Sequence, residues 1–498
     1  MNDRSIFTRR AEPLTLDTRK RLLLDDSCLE ETRDLERRLH RPERQGPVLV
    51  PRSELGEVSL QSRSVPQWNP EKKLWEWWYW GGWECEPHGQ HATTQVVLTQ
   101  YAVSADGVTW ETPDLGLHEW RGSRHNNVAM DPELGSRALY HIIRDERDPD
   151  PARRYKGLLG NQDRRPAVSP DGFNWTALDV PPIPSSDESH FFYDEIGERF
   201  VALVKHGTVW GRSVFLATSR DFDEWEHCGI VLHADATDGD NCRQRIRAVA
   251  EDPAYLSPPL IDEEEHLAQT YQMAAMPYEG LYVGFPLIFN PAGAIPPPHM
   301  NYTGLNQTEL AVSHDLLLWR RLCDREIFLG LEPWDGVNYA TQQVAPCGRP
   351  IVRDDQIWIY HIACRFRGPR ELFAPEYHPY FKAISALNLS RLRLDGFVSM
   401  EAAGEGSLLT RPLRLQGREL AVNGNASGGE LRAEILDADS LQPLPGLSVD
   451  DCLPVTEDGI RQAVRWSGDR SAAAAQNREV RLRFALREAG LYAVWMTS

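Results

Sequence analysis

The chain of 498 residues is acidic, with a formal net charge of −19, and 41% of its residues are hydrophobic against 26% charged. A surface of that sign argues against nucleic acid and anionic membranes as partners. No apolar run is long enough to span a bilayer, and the length predicts two or three domains.

Taken in chain order, residues 1–21 are charged and lack an apolar core, so no signal peptide is visible and a cytoplasmic location is expected. Leu22-Leu23-Leu24 then reads as an apolar strand that ends in Asp25 and Asp26. Residues 75–83 concentrate tryptophan. As a strand they put Trp78 and Trp80 on one face with Glu76, and Trp75, Trp77 and Tyr79 on the other. Packing between neighbouring sheets is the simpler use of these rings, and stacking on a sugar the more specific one.

A short motif, Ser-x-Asp-x-x-x-Trp, then recurs as Ser104-Asp106-Trp110, Ser169-Asp171-Trp175, Ser219-Asp221-Trp225 and Ser313-Asp315-Trp319. Its Ser and Asp cap a tight turn with their own oxygens, and its Trp folds back as an apolar plug. Recurrence every few tens of residues, at the ends of strand-like runs, predicts a β-propeller. The long interval between Ser219 and Ser313 is assigned to insertions, a polar irregular one at 235–252 and a Pro- and Gly-rich one at 290–306. A last blade runs from about Trp334 to Met400. The expected fold is all-β: a five-bladed β-propeller over residues 1–404, with an N-terminal arm 1–45, followed by a β-sandwich over 405–498. Six blades are the alternative. Short alternating runs such as 431–435 and 480–484 carry the sandwich prediction. A structural lid is its simpler role, a sugar-binding module the other. The eight cysteines contain no Cys-x-x-Cys pair, which argues against a zinc site or a disulfide framework.

Propellers gather function where their innermost strands converge. The four Asp residues of the repeat are therefore read as turn caps, and the polar groups at blade starts as site candidates. Glycosidic chemistry needs one protonated and one ionised carboxylate, and a further carboxylate nearby raises the pKa of the acid. Asp26 is the candidate base or nucleophile, Glu279 the general acid, and Asp187 the group that tunes the acid and binds hydroxyls. Asp25, His125, Asn127, His190, Asp335 and His361 are candidate substrate contacts. Each has a plainer structural use as a turn cap or a satisfied buried polar group. No cofactor and no catalytic metal is called for, although an Asp-rich funnel could hold a structural calcium.

The turn motif, blade count and trailing sandwich resemble the five-bladed propeller glycosidases, glycoside hydrolase families 32, 43 and 68, as a divergent member. The resemblance implies a hydrolase that removes a terminal sugar, a furanoside or a related one, from a small carbohydrate. It also implies a base Asp on the first inner strand, a place that Asp26 or Asp25 occupies without the flanking Asn-Asp-Pro-Asn-Gly of family 32. Glu84-Cys85 and Arg147-Asp148-Pro149 imitate motifs of that family in reversed order and are set aside. The same turns resemble those of six-bladed sialidases, whose three arginines come from separate blades. Here Arg243, Arg245 and Arg247 lie in one segment. The competing reading from a different class is a non-catalytic carbohydrate-binding or scaffolding propeller.

Overall fold

The computed structural model describes residues 14–84, 95–262, 264, 267–297, 301–468, 470–476 and 478–498. Residues 1–13 and Cys85 therefore lie outside the described residues. The chain is nearly all-β and divides into two compact units. Among the described residues, a terminal unit combines residues 14–40 with 393–498, and a central unit lies within 41–392. These bounds differ from the expected division at 404/405, because the N-terminal segment belongs with the C-terminal one.

The reason lies in its leucines. Leu16, Leu23, Cys28 and Leu29 join Leu420, Leu431, Trp466 and Phe484 in one buried core. Strand Arg21–Leu22 pairs antiparallel with strand Glu479–Thr497 (Leu22 opposite Ala493), and Leu14–Leu16 runs parallel to Leu413–Leu415. Strand Glu479–Thr497 is the spine of this unit and pairs with Val398–Thr410, Glu419–Asn425 and Glu430–Asp437. The alternating run 480–484 is part of this one long strand, which carries Glu488 at φ 45. Trp466 fills the core and donates its indole N–H to the Ala433 carbonyl at 3.1 Å, so that its one polar atom is satisfied where no water reaches.

The central unit is a succession of antiparallel arrays. One comprises Glu57–Gln61, Leu74–Glu84 and Gln95–Ser104. Two four-stranded sheets follow, from Leu139–Arg144 to Thr176–Ala177 and from Ser189–Asp194 to Glu226–Leu232. The next opens with Gln269–Tyr278 and Leu281–Ile295 and continues to Ala311–Ser313 and Arg320–Arg321. The last comprises Gln343–Pro346, Gln356–Cys364 and Ser385–Arg393, and strand Glu43–Leu49 from the start of the unit closes its outer edge. Residues 235–252, expected to be irregular, form an α-helix, Ala236–Glu251. Asp235 and Asp238 make a reciprocal capping box, and Cys242, Ile246 and Val249 bury one face.

The repeated motif acts as a turn cap in every copy. Asp106 accepts the backbone N–H groups of Val108 and Thr109 at 2.7 Å, and the Gly107 N–H donates to Ser104 Oγ at 2.8 Å. The Thr109 bond leads the interactions that hold the Asp106 carboxyl down to about 2. Asp171, Asp221 and Asp315 repeat the pair of bonds at 2.8–2.9 Å. The left-handed position is glycine in two copies (Gly107, Gly172) but Phe222 and Leu316 in the others, at φ 74 and 68. Both of those side chains are fully buried, which offsets the backbone strain.

Two of the motif tryptophans pack where the second strand has no side chain. A Cβ on Gly157 would stand 2.5 Å from the Trp175 ring, and one on Gly284 equally close to Trp319. Residues 75–83 are also used structurally. Trp77 packs on Trp110 and Tyr360 on one side of the strand, and Trp78 on Tyr101 and Tyr155 on the other. Gly157→Ala should lower unfolding free energy by ~1–3 kcal/mol through overpacking. Gly207→Ala, where nothing lies within 4 Å of the new methyl, should change it by less than ~0.5 kcal/mol. Denaturant unfolding of the two variants checks this, and equal midpoints would contradict the plug role.

Candidate functional site

The first strands of the central arrays bring an unusual set of polar side chains together. Arg63 stands just past Glu57–Gln61, and Glu188 just before Ser189–Asp194. The Arg63 Nε and Nη2 groups both donate to the Glu188 carboxylate, the second at 2.5 Å, with side chains only 6% and 7% exposed. Burial disfavours the charged guanidinium, but the Glu188 charge outweighs it and the Arg63 pKa rises. The Arg63 carbonyl accepts a hydrogen bond from His141 Nδ1 at 2.7 Å. A carbonyl can only accept, so the proton sits on Nδ1, and neutral Nε2 takes the Ser189 hydroxyl hydrogen at 2.7 Å. Arg164 donates to Ser189 Oγ at 2.6 Å and lies over the Tyr140 ring at 3.8 Å.

Beside this pair, Lys205 reaches Asp187 at 2.5 Å. Lys205 is 3% exposed and Asp187 is 50% exposed. Burial opposes ionisation of Asp187, but the Lys205 charge and hydrogen bond overcome it and hold the carboxyl below its usual range. Lys205 itself titrates low because burial outweighs Glu188 and Asp187. His190 is fully buried, and burial followed by the Arg63 charge lowers its pKa to about 3. Neither ring nitrogen of His190 has a hydrogen-bond partner among the described residues. The same holds for both amide atoms of Gln272, Thr270 Oγ1, Gln307 Oε1 and Asn306 Oδ1. Such concentrated unmet capacity is rare in a structural core and common where polar ligands bind.

A cleft of about 1640 Å³ opens in the central unit, lined by Gln61, Gln343 and Arg367 together with Trp120, Tyr302 and Phe366. Gln61 Oε1 accepts from Arg63 at 3.3 Å, which ties the cleft wall to the buried pair. Glu84 and Glu371 also line it. Among the described residues no three His, Cys, Asp or Glu side chains converge to hold a metal ion.

Of the residues expected from sequence, the structure brings Asp187 and His190 into this cluster. Asp25 and Asp26 belong to the terminal unit, because the leucines before them complete its core. Asp26 pairs with Arg37 at 2.5 Å, and Asp25 accepts the Ser27 N–H at 2.9 Å. Glu279 is not on a strand. It and Gly280 form the two-residue turn that joins Gln269–Tyr278 to Leu281–Ile295, at φ 50 and 79, the geometry of a tight hairpin. Asp335 caps an exposed turn through the N–H groups of Val337 and Asn338 at 2.7 Å. His125 is exposed and paired with Asp114 at 2.6 Å. Asn127 is buried in a network with Tyr79 and Arg52. His361 is buried, with Nε2 3.0 Å from Ser390 Oγ.

Sequence reasoning missed Arg63, Arg164, Lys205 and Arg367. Some signal existed. Arg63 interrupts Ser62 and Ser64 directly after an alternating strand, and Gln269 to Gln272 is a polar run directly before the buried run Met273–Met276.

Buried neutral histidines predict acid sensitivity. His190 binds no proton in the folded protein until pH falls to about 3, whereas the unfolded chain protonates it below about 6.5. The unfolded state therefore holds more protons between those limits. Stability is full above pH 6.5 and falls by ~1.4 kcal/mol per pH unit for this group as pH drops through that window. His141 and His361, also held well below their ordinary value by burial, add to the slope. Guanidinium unfolding at pH 7.5 and pH 5 should show a smaller loss for His190→Asn than for the parent, and an equal loss would contradict the assignment.

No protein-family model and no curated protein matches the chain. Solved structures that resemble it include a family-32 β-fructofuranosidase of Bombyx mori at 9% identity and TM-score 0.40, over 92% of this chain and 94% of that one. A fructofuranosidase of Schwanniomyces occidentalis complexed with fructosylnystose matches at 10% identity and TM-score 0.40, over 90% and 96%. An N-acetylgalactosamine deacetylase of F. plautii matches at 12% identity and TM-score 0.42, over 72% and 96%. At such scores the likeness assigns neither a family nor a reaction to this chain.

Proposed function

We propose that the central unit is a five-bladed β-propeller whose last blade is closed by strand Glu43–Leu49, and that the terminal unit is a β-sandwich. We assign to the central cleft the cleavage of a terminal sugar from a small carbohydrate, with Asp187 as its ionised carboxylate. The observation that carries this reading is the cluster of Asp187, Glu188, Arg63, Lys205 and His190, together with the buried Gln272 amide and the Asn306 and Gln307 amide oxygens that lack partners among the described residues. Amides match the paired donors and acceptors of vicinal hydroxyls, and Trp120 and Tyr302 offer rings for the apolar face of a sugar.

In this scheme Asp187 is half-exposed and held ionised by Lys205, so it is suited to act as base or nucleophile, or to accept hydroxyl hydrogens. Glu188 is engaged by two N–H groups of Arg63 and acts as a positioning residue. The protonated partner that glycoside cleavage requires falls to Glu84 or Glu371, the carboxylates that line the cleft. One observation favours the second reading, a binding propeller: both carboxylates of the buried cluster are already matched to cations.

A panel of nitrophenyl furanosides and pyranosides separates the two. Cleavage is expected in the parent, with kcat reduced by at least about a hundredfold in Asp187→Asn and in one of Glu84→Gln or Glu371→Gln. Sugar binding without release of nitrophenol across the panel would favour the binding propeller.

A further inference from the structure

Around Arg367, at the cleft wall, the side chains carry more positive charge than carboxylates balance. Three cations surround the ring of Tyr271: Lys205 Nζ at 4.2 Å from its centroid, Arg212 Cζ at 5.2 Å and Arg367 Cζ at 5.7 Å. The two arginines also share the ring of Phe289, at 5.4 and 4.6 Å. Lys205 has Asp187 as its counter-charge. Arg212 and Arg367 have none: among the described residues neither meets a carboxylate, and their side-chain hydrogen bonds go to the neutral oxygens Gln269 Oε1 and Gln343 Oε1, at 2.9 and 2.8 Å. Arg367 Nε is buried without an acceptor. Elsewhere Arg153, Arg321 and Arg325 each reach an Asp or Glu, and the buried Arg164 and Arg365, which meet no carboxylate among the described residues, spend Nε and both Nη groups on carbonyls and Ser189 Oγ.

Two partly buried guanidiniums without counter-charge are costly to hold together, and a chain of net charge −19 does not lack carboxylates to pair with them. The cost is met when a ligand supplies the anion. A guanidinium presents a planar fork that fits a phosphate or carboxylate, and Arg367 lines the cleft.

We propose that Arg212 and Arg367, flanking Tyr271, form a subsite for an anionic group of the ligand, a phosphate or a sugar carboxylate. Lys205 is shared between that anion and Asp187. The identity of the ligand as a saccharide rests on the function proposed above; the anion subsite does not.

Calorimetric titration of the full chain with potassium phosphate, sodium glucuronate and neutral glucose tests it. The protein should bind at least one of the two anions, with affinity that falls as sodium chloride is raised. Arg212→Gln and Arg367→Gln should each weaken that binding about tenfold or more. Arg349→Gln, which removes a surface partner of Glu195, should leave it unchanged. Arg212→Lys and Arg367→Lys keep the charge and should retain part of the affinity, so a folding defect in the glutamine variants would not be mistaken for lost recognition. Phosphate binding alone assigns the phosphate, and glucuronate binding alone a sugar acid. No binding of either anion, or affinities unchanged in all four variants, overturns the subsite. Anion binding that persists while no glycoside is cleaved refutes the proposed enzyme and leaves the subsite standing.

Discussion

The buried pairing of Arg63 with Glu188 is the constraint on which the site depends. Two charges taken out of water are tolerable only while both N–H···O bonds hold, and losing one partner typically costs ~3–5 kcal/mol because the other is left uncompensated. The segments that carry them, one past Glu57–Gln61 and one before Ser189–Asp194, are therefore fixed against each other. The residues around the pair inherit that rigidity. His141 is oriented by the Arg63 carbonyl, His190 is kept neutral beside the guanidinium, and Asp187 is the residue next to Glu188. Trp80, whose indole N–H donates to the Leu139 carbonyl at 2.8 Å, lies 5.5 Å from the Arg63 guanidinium and fixes it from the side.

The central arrays use their acidic residues in a different way. Asp106, Asp171, Asp221 and Asp315 are occupied by backbone N–H groups in turns. Glu76 is fully buried, and burial opposes its ionisation, yet hydrogen bonds from Lys72, Tyr101, Asn69 and Tyr155 lower its pKa. Tyr101 and Tyr155 are also rings that Trp78 packs on, and Tyr155 belongs to the next sheet, so one carboxylate and one indole tie adjacent sheets. Negative charge is thus distributed over turns and structural nodes, while the cleft keeps an excess of arginine and lysine. Net charge alone, read from the sequence, points away from nucleic acid and anionic membranes; the cleft itself is lined by Arg121, Arg367, Arg370 and Lys382 against Glu84 and Glu371.

The repeat, the strand content and the structural use of the tryptophans were legible because each rests on local rules: side-chain caps on turns, alternation with period two, and rings on opposite faces of one strand. The capped helix at 236–251 was equally local, with Asp235, Asp238 and the spacing of Cys242, Ile246 and Val249 in plain view, but its polar composition reads as a loop. The site was legible only where it coincided with a strand start, at Asp187 and His190. Arg63, the hairpin neighbours Lys205 and Arg212, and Arg367 belong to three different arrays, and no local rule says that basic residues of separate arrays will meet. Asp26 was misplaced for the complementary reason. A strand ending in two carboxylates looks the same whether its leucines enter the core of the neighbouring arrays or that of residues at the far end of the chain.

That last arrangement gives synthesis an order. Strand Glu43–Leu49 lies antiparallel to Ser385–Arg393, with Glu43 opposite Arg391, so the central unit begins and ends at one place and is complete before the rest of the chain has been made. Residues 14–40 cannot pair until strands Val398–Thr410 and Glu479–Thr497 exist. On the ribosome the N-terminal leucines therefore wait, unpaired and apolar, while everything between them and their partners folds. The charged residues among them, from Asp17 to Arg21 and from Glu30 to Arg38, keep that waiting segment hydrated.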